Sequence, residues 1–237
     1  MMSFFQNTQQ LFRDFTSLFF PNLCMACMER APVPNEYLCF SCQSYLPRTD
    51  YHHHKENRFT DRLWGRLELH TATAMFLLIK NGLAENIVYN IKYNDATELA
   101  IALGKEYGRT LKKAALYDDI DVVIPVPIHK SKLKTRGYNQ SALFGQGIAT
   151  SLEIPCLENA LLKKRKTKSQ TKKSRIERLL SVEGEFAVRE PEVLQGKNVL
   201  LVDDVMTTGA TLESCGLELL KVEGVRLSMA TLAFKEN

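Results

Sequence analysis

No run of 18 or more apolar residues occurs in the 237-residue sequence, so no helix able to span a bilayer is expected. The first twenty residues carry Phe4, Phe5, Leu11, Phe12, Phe15, Leu18, Phe19 and Phe20, but Arg13 and Asp14 interrupt them and no basic segment precedes them. That is not the pattern of a secretory signal, and a cytoplasmic location is expected. Glycine (12) and proline (8) are too sparse for a collagen-like or low-complexity chain. With 45% hydrophobic and 24% charged residues the chain is also too apolar for wholesale disorder. At roughly 150 residues per domain, the length suits one medium core plus a small module.

An excess of one charge sign is missing too, since 31 basic residues against 27 acidic ones net +4. The imbalance is local. Between Lys163 and Arg178 stand nine bases and one acid, Glu177, which leaves 22 bases against 26 acids elsewhere. Nine like charges repel, so this segment is expected to be a mobile or solvated loop.

Along the chain, apolar residues at 5, 12, 15 and 19 predict a short amphipathic helix ended by Pro21. Its polar face lacks the Lys/Arg enrichment of interfacial helices, so the stripe is read as core packing rather than membrane contact. A four-cysteine stretch follows, completing an N-terminal unit over 1–50, and the polar residues that come next, with His52, His53 and His54, predict a linker over 51–75. From 76 to 237 the pattern is α/β. Leu83, Ile87 and Ile91, then Leu99, Leu103, Tyr107 and Leu111, predict two helices with a break near Asn94. Ile120–Val126, Val199–Val202 and Leu227–Phe234 predict buried strands, with helices over 141–152 and from about Gly209 to Val222. Strands alternating with helices imply a parallel sheet.

Scarce disulfide partners are not the issue in a reducing compartment; spacing is. Cys24 and Cys27, then Cys39 and Cys42, form two C-x-x-C pairs eleven residues apart. Two such knuckles complete a closed four-thiolate site, and the spacing predicts a structural zinc without metal-centred catalysis. Cys156 and Cys215 are read as small core residues.

The stretch Val199 to Leu212 is the most informative. Four apolar residues build a strand, Asp203 and Asp204 stand at its end, and Val205-Met206-Thr207-Thr208-Gly209-Ala210-Thr211 turns into a helix. Backbone N–H groups at a helix start favour an anion, and Thr207, Thr208 and Thr211 can add hydroxyl donors. Carboxylates beside an anion site call for hydrogen-bond donors or a cation, which points to a sugar phosphate with free hydroxyls. A strand end whose aspartates cap a helix, or a phosphoacceptor pair, is the structural alternative.

The stretch resembles the phosphoribosyl-pyrophosphate (PRPP) binding motif of type I phosphoribosyltransferases. The resemblance implies that Asp203 and Asp204 hold the ribose hydroxyls while Thr207 to Thr211 cradle the 5-phosphate, and it brings Val205 and Met206 into the motif. The wider resemblance, over nearly the whole chain, is to the ComF family, competence-associated proteins with an N-terminal zinc module and a phosphoribosyltransferase domain. Ile91-Lys92-Tyr93, Ile124-Pro125-Val126-Pro127, Arg136-Gly137-Tyr138-Asn139-Gln140, Thr167 with Gln170, the four cysteines and the acidic motif carry it. One departure is visible: Leu179, Leu180 and Ser181 follow Arg178 where the family tends to carry an asparagine.

Two basic segments complete the candidate site. The loop after strand Ile120–Val126 stands where parallel sheets bind ligands, with Arg136 as the leading pyrophosphate contact and Lys134, Tyr138, Asn139 and Gln140 as weaker ones. The Lys163–Arg178 segment resembles the mobile loop that closes over pyrophosphate, bringing in Lys166, Gln170 and Arg178. A nucleic-acid contact is its rival, although no aromatic residue between Lys163 and Glu185 offers a stacking platform. The expected reaction is attack on the anomeric carbon of PRPP with pyrophosphate leaving, Asp203, Asp204 and Arg136 acting at the reacting sugar and magnesium neutralising the departing charge. Two other readings stay open: a PRPP or nucleotide sensor without turnover, and an adaptor in DNA uptake acting with single-stranded DNA and a helicase-like ATPase, which the ComF resemblance implies.

Overall fold

The computed structural model describes residues 23–34, 36–164 and 184–236. The expected N-terminal helix and most of the basic segment, with Lys166, Gln170 and Arg178, lie outside the described residues.

Four strands form one parallel sheet: β1 (Thr71–Leu77), β2 (Val122–Pro125), β5 (Asn198–Met206) and β6 (Arg226–Phe234), in the order β1-β6-β5-β2. A two-stranded antiparallel unit, β3 (Leu161–Lys163) and β4 (Phe186–Val188), stands apart and frames the basic segment. Along β5, Leu200 and Val202 enter one core while Val199, Leu201 and Met206 enter the other. Both faces of the sheet are therefore covered, which is why its central strand reads as an uninterrupted apolar run. At the open side of β2, backbone bonds from Val123 to Pro155 (3.0 Å) and from Leu157 to Val123 (2.9 Å) cover the edge, and Pro125 is tolerated at an edge position.

The first face carries α3 (Leu83–Tyr93), α4 (Thr97–Leu111) and α6 (Gln140–Leu152). Helices α4 and α6 approach through glycines: a Cβ on Gly147 would run into the Ile101 carbonyl oxygen, and one on Gly104 into that of Phe144. The opposite face carries α2 (Arg58–Leu63) and α7 (Ala210–Leu219). The cysteine segment with α1 (Phe40–Tyr45) is continuous with the first core, since Cys24, Leu38, Cys39, Cys42 and Leu46 pack in one cluster with α3 and α4.

Two expectations differ from the structure. The stretch 51–75, expected as a linker, holds a 3-10 turn at Tyr51–His53, helix α2 and most of β1. A capping box at Asn57 and Thr60 starts α2, which buries Phe59 and Leu63. Strand β1 escaped the hydropathy pattern because it begins Thr-Ala-Thr-Ala; Thr71 and Thr73 are buried there against the hydroxyls of Tyr117 (3.4 Å) and Tyr107 (2.6 Å). The basic loop after β2 contains a helix, α5 (Lys130–Arg136), capped by the His129 ring and ended by Gly137 at φ +86°.

Candidate functional site

Strand β5 runs through both aspartates, so Asp203 and Asp204 point to opposite sides of the same strand end, which the N-terminus of α6 meets. Asn139 caps α6, accepting from Ser141 N–H (3.1 Å) and donating to the Val126 carbonyl (3.0 Å) that closes β2. This fixes the next two side chains on the carboxylates. Ser141 Oγ donates to Asp203 Oδ1 (2.7 Å), which also accepts the Asp204 N–H (2.8 Å). Gln140 Nε2 donates to Asp204 Oδ2 (2.6 Å), and Lys92 Nζ from the end of α3 stands 3.1 Å from the same oxygen. Arg136 donates to Gln140 Oε1 and lies over the Tyr93 ring at 5.5 Å.

Burial first, and then the charge of Asp204, raise the Asp203 carboxyl well above the usual carboxylate range; the bonds from Ser141 and the Asp204 N–H oppose this without prevailing. A cation or a cluster of hydroxyl donors would relieve that cost. A cavity of about 270 Å³ opens over the pair, and Lys92, Lys132, Arg136 and Lys163 line it together with Asp203, Asp204 and Thr211. Four cations around two carboxylates suit a ligand that brings both anionic groups and hydroxyls. An adjoining cleft of about 820 Å³, lined by Tyr93, Tyr138 and Thr135, shares Lys92, Lys132 and Arg136 with it.

Beyond the aspartates the threonine turn enters α7. Gly209 caps the helix at φ +82°, and a Cβ there would sit 2.9 Å from Leu63 Cδ2 and 3.0 Å from Met206 Cε. Thr207 and Thr208 are exposed, and Ala210 N–H reaches Thr208 Oγ1 only at 3.4 Å. Arg62 from α2 braces the turn, donating to the carbonyls of Thr207 and Lys235 while its guanidinium lies 4.6 Å over Phe234.

The four sulfurs of Cys24, Cys27, Cys39 and Cys42 lie within 4.8 Å of one another. Tetrahedral zinc with Zn–S near 2.3 Å separates its sulfurs by about 3.8 Å, so the set fits. Burial opposes ionisation of Cys24, yet backbone hydrogen bonds at Cys27, Cys39 and Ala26 bring its thiol down to about 7. Cys42 is pushed up, by burial first and then by the other three sulfurs, so four thiolates together call for a cation.

A profile of the phosphoribosyl transferase domain family matches residues 139–237. Competence protein ComFC of Bacillus subtilis is 29% identical over 194 residues, 76% of each chain. Competence protein F of Haemophilus influenzae is 36% identical over 107 residues, 44% of this chain and 46% of that one. The DNA utilization protein YhgH of Escherichia coli O157:H7 is 28% identical over 138 residues, 57% of this chain and 60% of its own.

The chain is a homologue of these competence and DNA utilization proteins and carries a phosphoribosyl transferase domain. Its fold is the expected one, a parallel sheet flanked by helices with a four-cysteine cluster at the N-terminal side. Of the ComF-like residues read from the sequence, the structure brings Asp203, Asp204, Arg136, Asn139, Gln140 and Thr211 to one cavity. It sends others elsewhere. The Met206 side chain is buried in the core and Val205 packs against the opposite one, so within the motif they offer backbone only. Lys134 is exposed on α5 and borders neither cavity, whereas Lys132, one half-turn earlier, borders both. Tyr138 lines the adjoining cleft and donates to the Ile91 carbonyl (2.7 Å).

Sequence reading missed Ser141, Lys132, Lys163 and Arg62 as individual contributors. Ser141 carried a signal: it sits at the second helical position after an Asn cap. Arg62 carried none, because its partners are backbone carbonyls at Thr207 and Lys235.

Proposed function

We propose that the cleft binds PRPP, or a related ribose 5-phosphate, together with magnesium. What supports this most is the placement of Asp203 and Asp204 at the mouth of a cavity that also holds Lys92, Lys132, Arg136 and Lys163. The aspartates accept hydrogen bonds from the ribose hydroxyls, with Lys92 and Gln140 beside Asp204. The N–H groups and hydroxyls of Thr207 to Thr211, including Gly209 and Ala210, receive the 5-phosphate at the start of α7. Arg136 and Lys132 meet the pyrophosphate, with Lys166, Gln170 and Arg178 of the basic segment as further contacts and Lys134 at longer range. Magnesium, held with the ligand by the carboxylate pair, supplies charge neutralisation for the pyrophosphate oxygens.

In the reaction, the attacking atom forms a bond to the anomeric carbon as the bond to pyrophosphate breaks with its electron pair. The chain contributes position: Asp203 and Asp204 hold the sugar, Thr211 anchors its phosphate and Arg136 takes up charge on the leaving group. In the cysteine cluster we place zinc, in a structural role. The competence names of the relatives support a part in DNA uptake; we place it in the cytoplasm and propose single-stranded DNA and a helicase-like ATPase as its partners.

Calorimetric titration with PRPP and magnesium, set against single-stranded oligonucleotides at the same salt, tests the reading. Magnesium-dependent PRPP binding lost in Asp203→Asn with Asp204→Asn is expected; unchanged binding in that double variant overturns it.

A further inference from the structure

We infer that the cysteine cluster and the carboxylate cleft are coupled through α3, with Asn86 and Asn90 as positioning residues for Lys92. Helix α3 touches both places. Asn86 Nδ2 donates to the Ala26 carbonyl (2.7 Å) and Asn90 Nδ2 to the Met25 carbonyl (2.8 Å), the two residues that lie between Cys24 and Cys27. Asn90 is 2% exposed, and its Oδ1 accepts from Asn94 Nδ2 (2.6 Å). A buried amide that loses such partners is costly, so where the knuckle backbone goes, this face of α3 follows.

The other end of the same helix reaches the cleft. Ile91 offers its carbonyl to Tyr138 Oη (2.7 Å), and Lys92 sets its Nζ 3.1 Å from Asp204 Oδ2. Asn90 and Lys92 are separated by about 3 Å of helix rise, too short a span for a rigid helix to absorb a displacement. Cys24 and Cys27 fix the Met25–Ala26 carbonyls when both bind one ion. Without the ion, four sulfurs that no longer share one partner set that backbone less firmly. Lys92 then no longer balances Asp204, and two adjacent carboxylates lose their counter-charge. Linkage makes this reciprocal: a ligand that uses the ordered cleft tightens the metal site by the factor by which metal tightens the ligand. The ligand half of this inference rests on the ribose-phosphate reading, while the placement of Lys92 does not.

The test uses the full chain. Lysine acylation read by mass spectrometry reports Lys92, and hydrogen exchange over 87–93 reports α3, with exchange in β5 as a monitor of the fold. Chelating the zinc should raise Lys92 labelling about tenfold while β5 stays protected, and zinc-loaded Asn86→Ala with Asn90→Ala should show the same rise. Should the metal-free chain unfold, the zinc-loaded double variant decides alone. Lys92 labelling that does not respond in that variant overturns the inference. In the ligand arm, magnesium-PRPP should bind the double variant about fivefold more weakly, and should raise zinc affinity about fivefold in the native sequence but not in the variant. PRPP bound equally by both overturns the coupling. If Lys92 responds as expected but the native zinc-loaded chain binds no PRPP, the ribose-phosphate reading falls and the linkage through α3 stands.

Discussion

The cysteine cluster and the carboxylate cleft solve the same problem, holding charge in a partly buried place, by opposite means. All four sulfurs come from Cys24 to Cys42, and their orientation is set by the knuckle's own backbone, as where Ala26 N–H meets Cys24 Sγ at 3.5 Å. The cleft draws Lys92 from α3, Lys132 and Arg136 from α5, Gln140 and Ser141 from α6, Lys163 from β3, and its aspartates from β5. A local site can be read from spacing, and it fails when one ligand goes. A dispersed one depends on how helices seat on the sheet, and it fails by degrees.

The largest effect that would break this contrast concerns the cluster. Cys39→Ser removes one of four thiolates from a site continuous with the first core, and should cost about 4 kcal/mol or more of unfolding free energy along with the bound zinc. Denaturant unfolding with zinc quantified in the same samples checks it. Zinc retained at one equivalent with a change below about 1 kcal/mol would show that the sulfurs do not act as one unit.

For the cleft, the corresponding strike is at a distance. Gly147→Ala forces α6 away from the Ile101 carbonyl of α4 and should cost about 1–3 kcal/mol by overpacking. Because α6 carries Gln140 and Ser141 at its start, the carboxylate contacts should loosen as well, while zinc content stays at the native level. Stability curves together with PRPP affinity measure both consequences.

This contrast also explains what could be read without coordinates. The cysteines, the strand-aspartate-threonine run and the parallel sheet are encoded within short windows, each by a local rule of spacing or periodicity. Strand β1 and helix α2 were hidden inside a stretch judged a linker, since Thr-Ala alternation is apolar only once Tyr107 and Tyr117 satisfy its hydroxyls. The same holds for Lys132 against Lys134. The sequence points to Lys134; the phase of α5, a helix not expected there, brings Lys132 to the cavity instead.

Asp203→Asn separates holding a ligand from holding the fold. A carboxyl whose folded value is raised stabilises the native state only at low pH: that contribution is complete below the unfolded value near 4 and is lost as pH climbs through the raised folded value. An asparagine oxygen can still accept from Ser141 and the Asp204 N–H, and it cannot ionise. The variant should therefore match the native chain near pH 4 and exceed it by about 1–2 kcal/mol at pH 8, while PRPP binding is lost. Urea titrations at the two pH values decide it, and a variant that is less stable at pH 8 would mean that the carboxylate is better solvated than its surroundings imply.

The smallest expected effect is the sharpest comparison, because it is made within one helix. Lys132→Ala and Lys134→Ala each remove one exposed positive charge from α5, so neither should change stability by more than about 0.5 kcal/mol, and both should alter the long-range field alike. Only Lys132 borders the cavity beside Arg136. Charged contacts of this partly solvated kind contribute about 0.5–1 kcal/mol, so Lys132→Ala should weaken PRPP binding about threefold at low salt, with the loss shrinking as salt rises, whereas Lys134→Ala should leave affinity within about 1.5-fold. Equal losses in the two variants would mean that the cleft attracts its ligand by overall charge rather than by the positions that α5 gives its side chains.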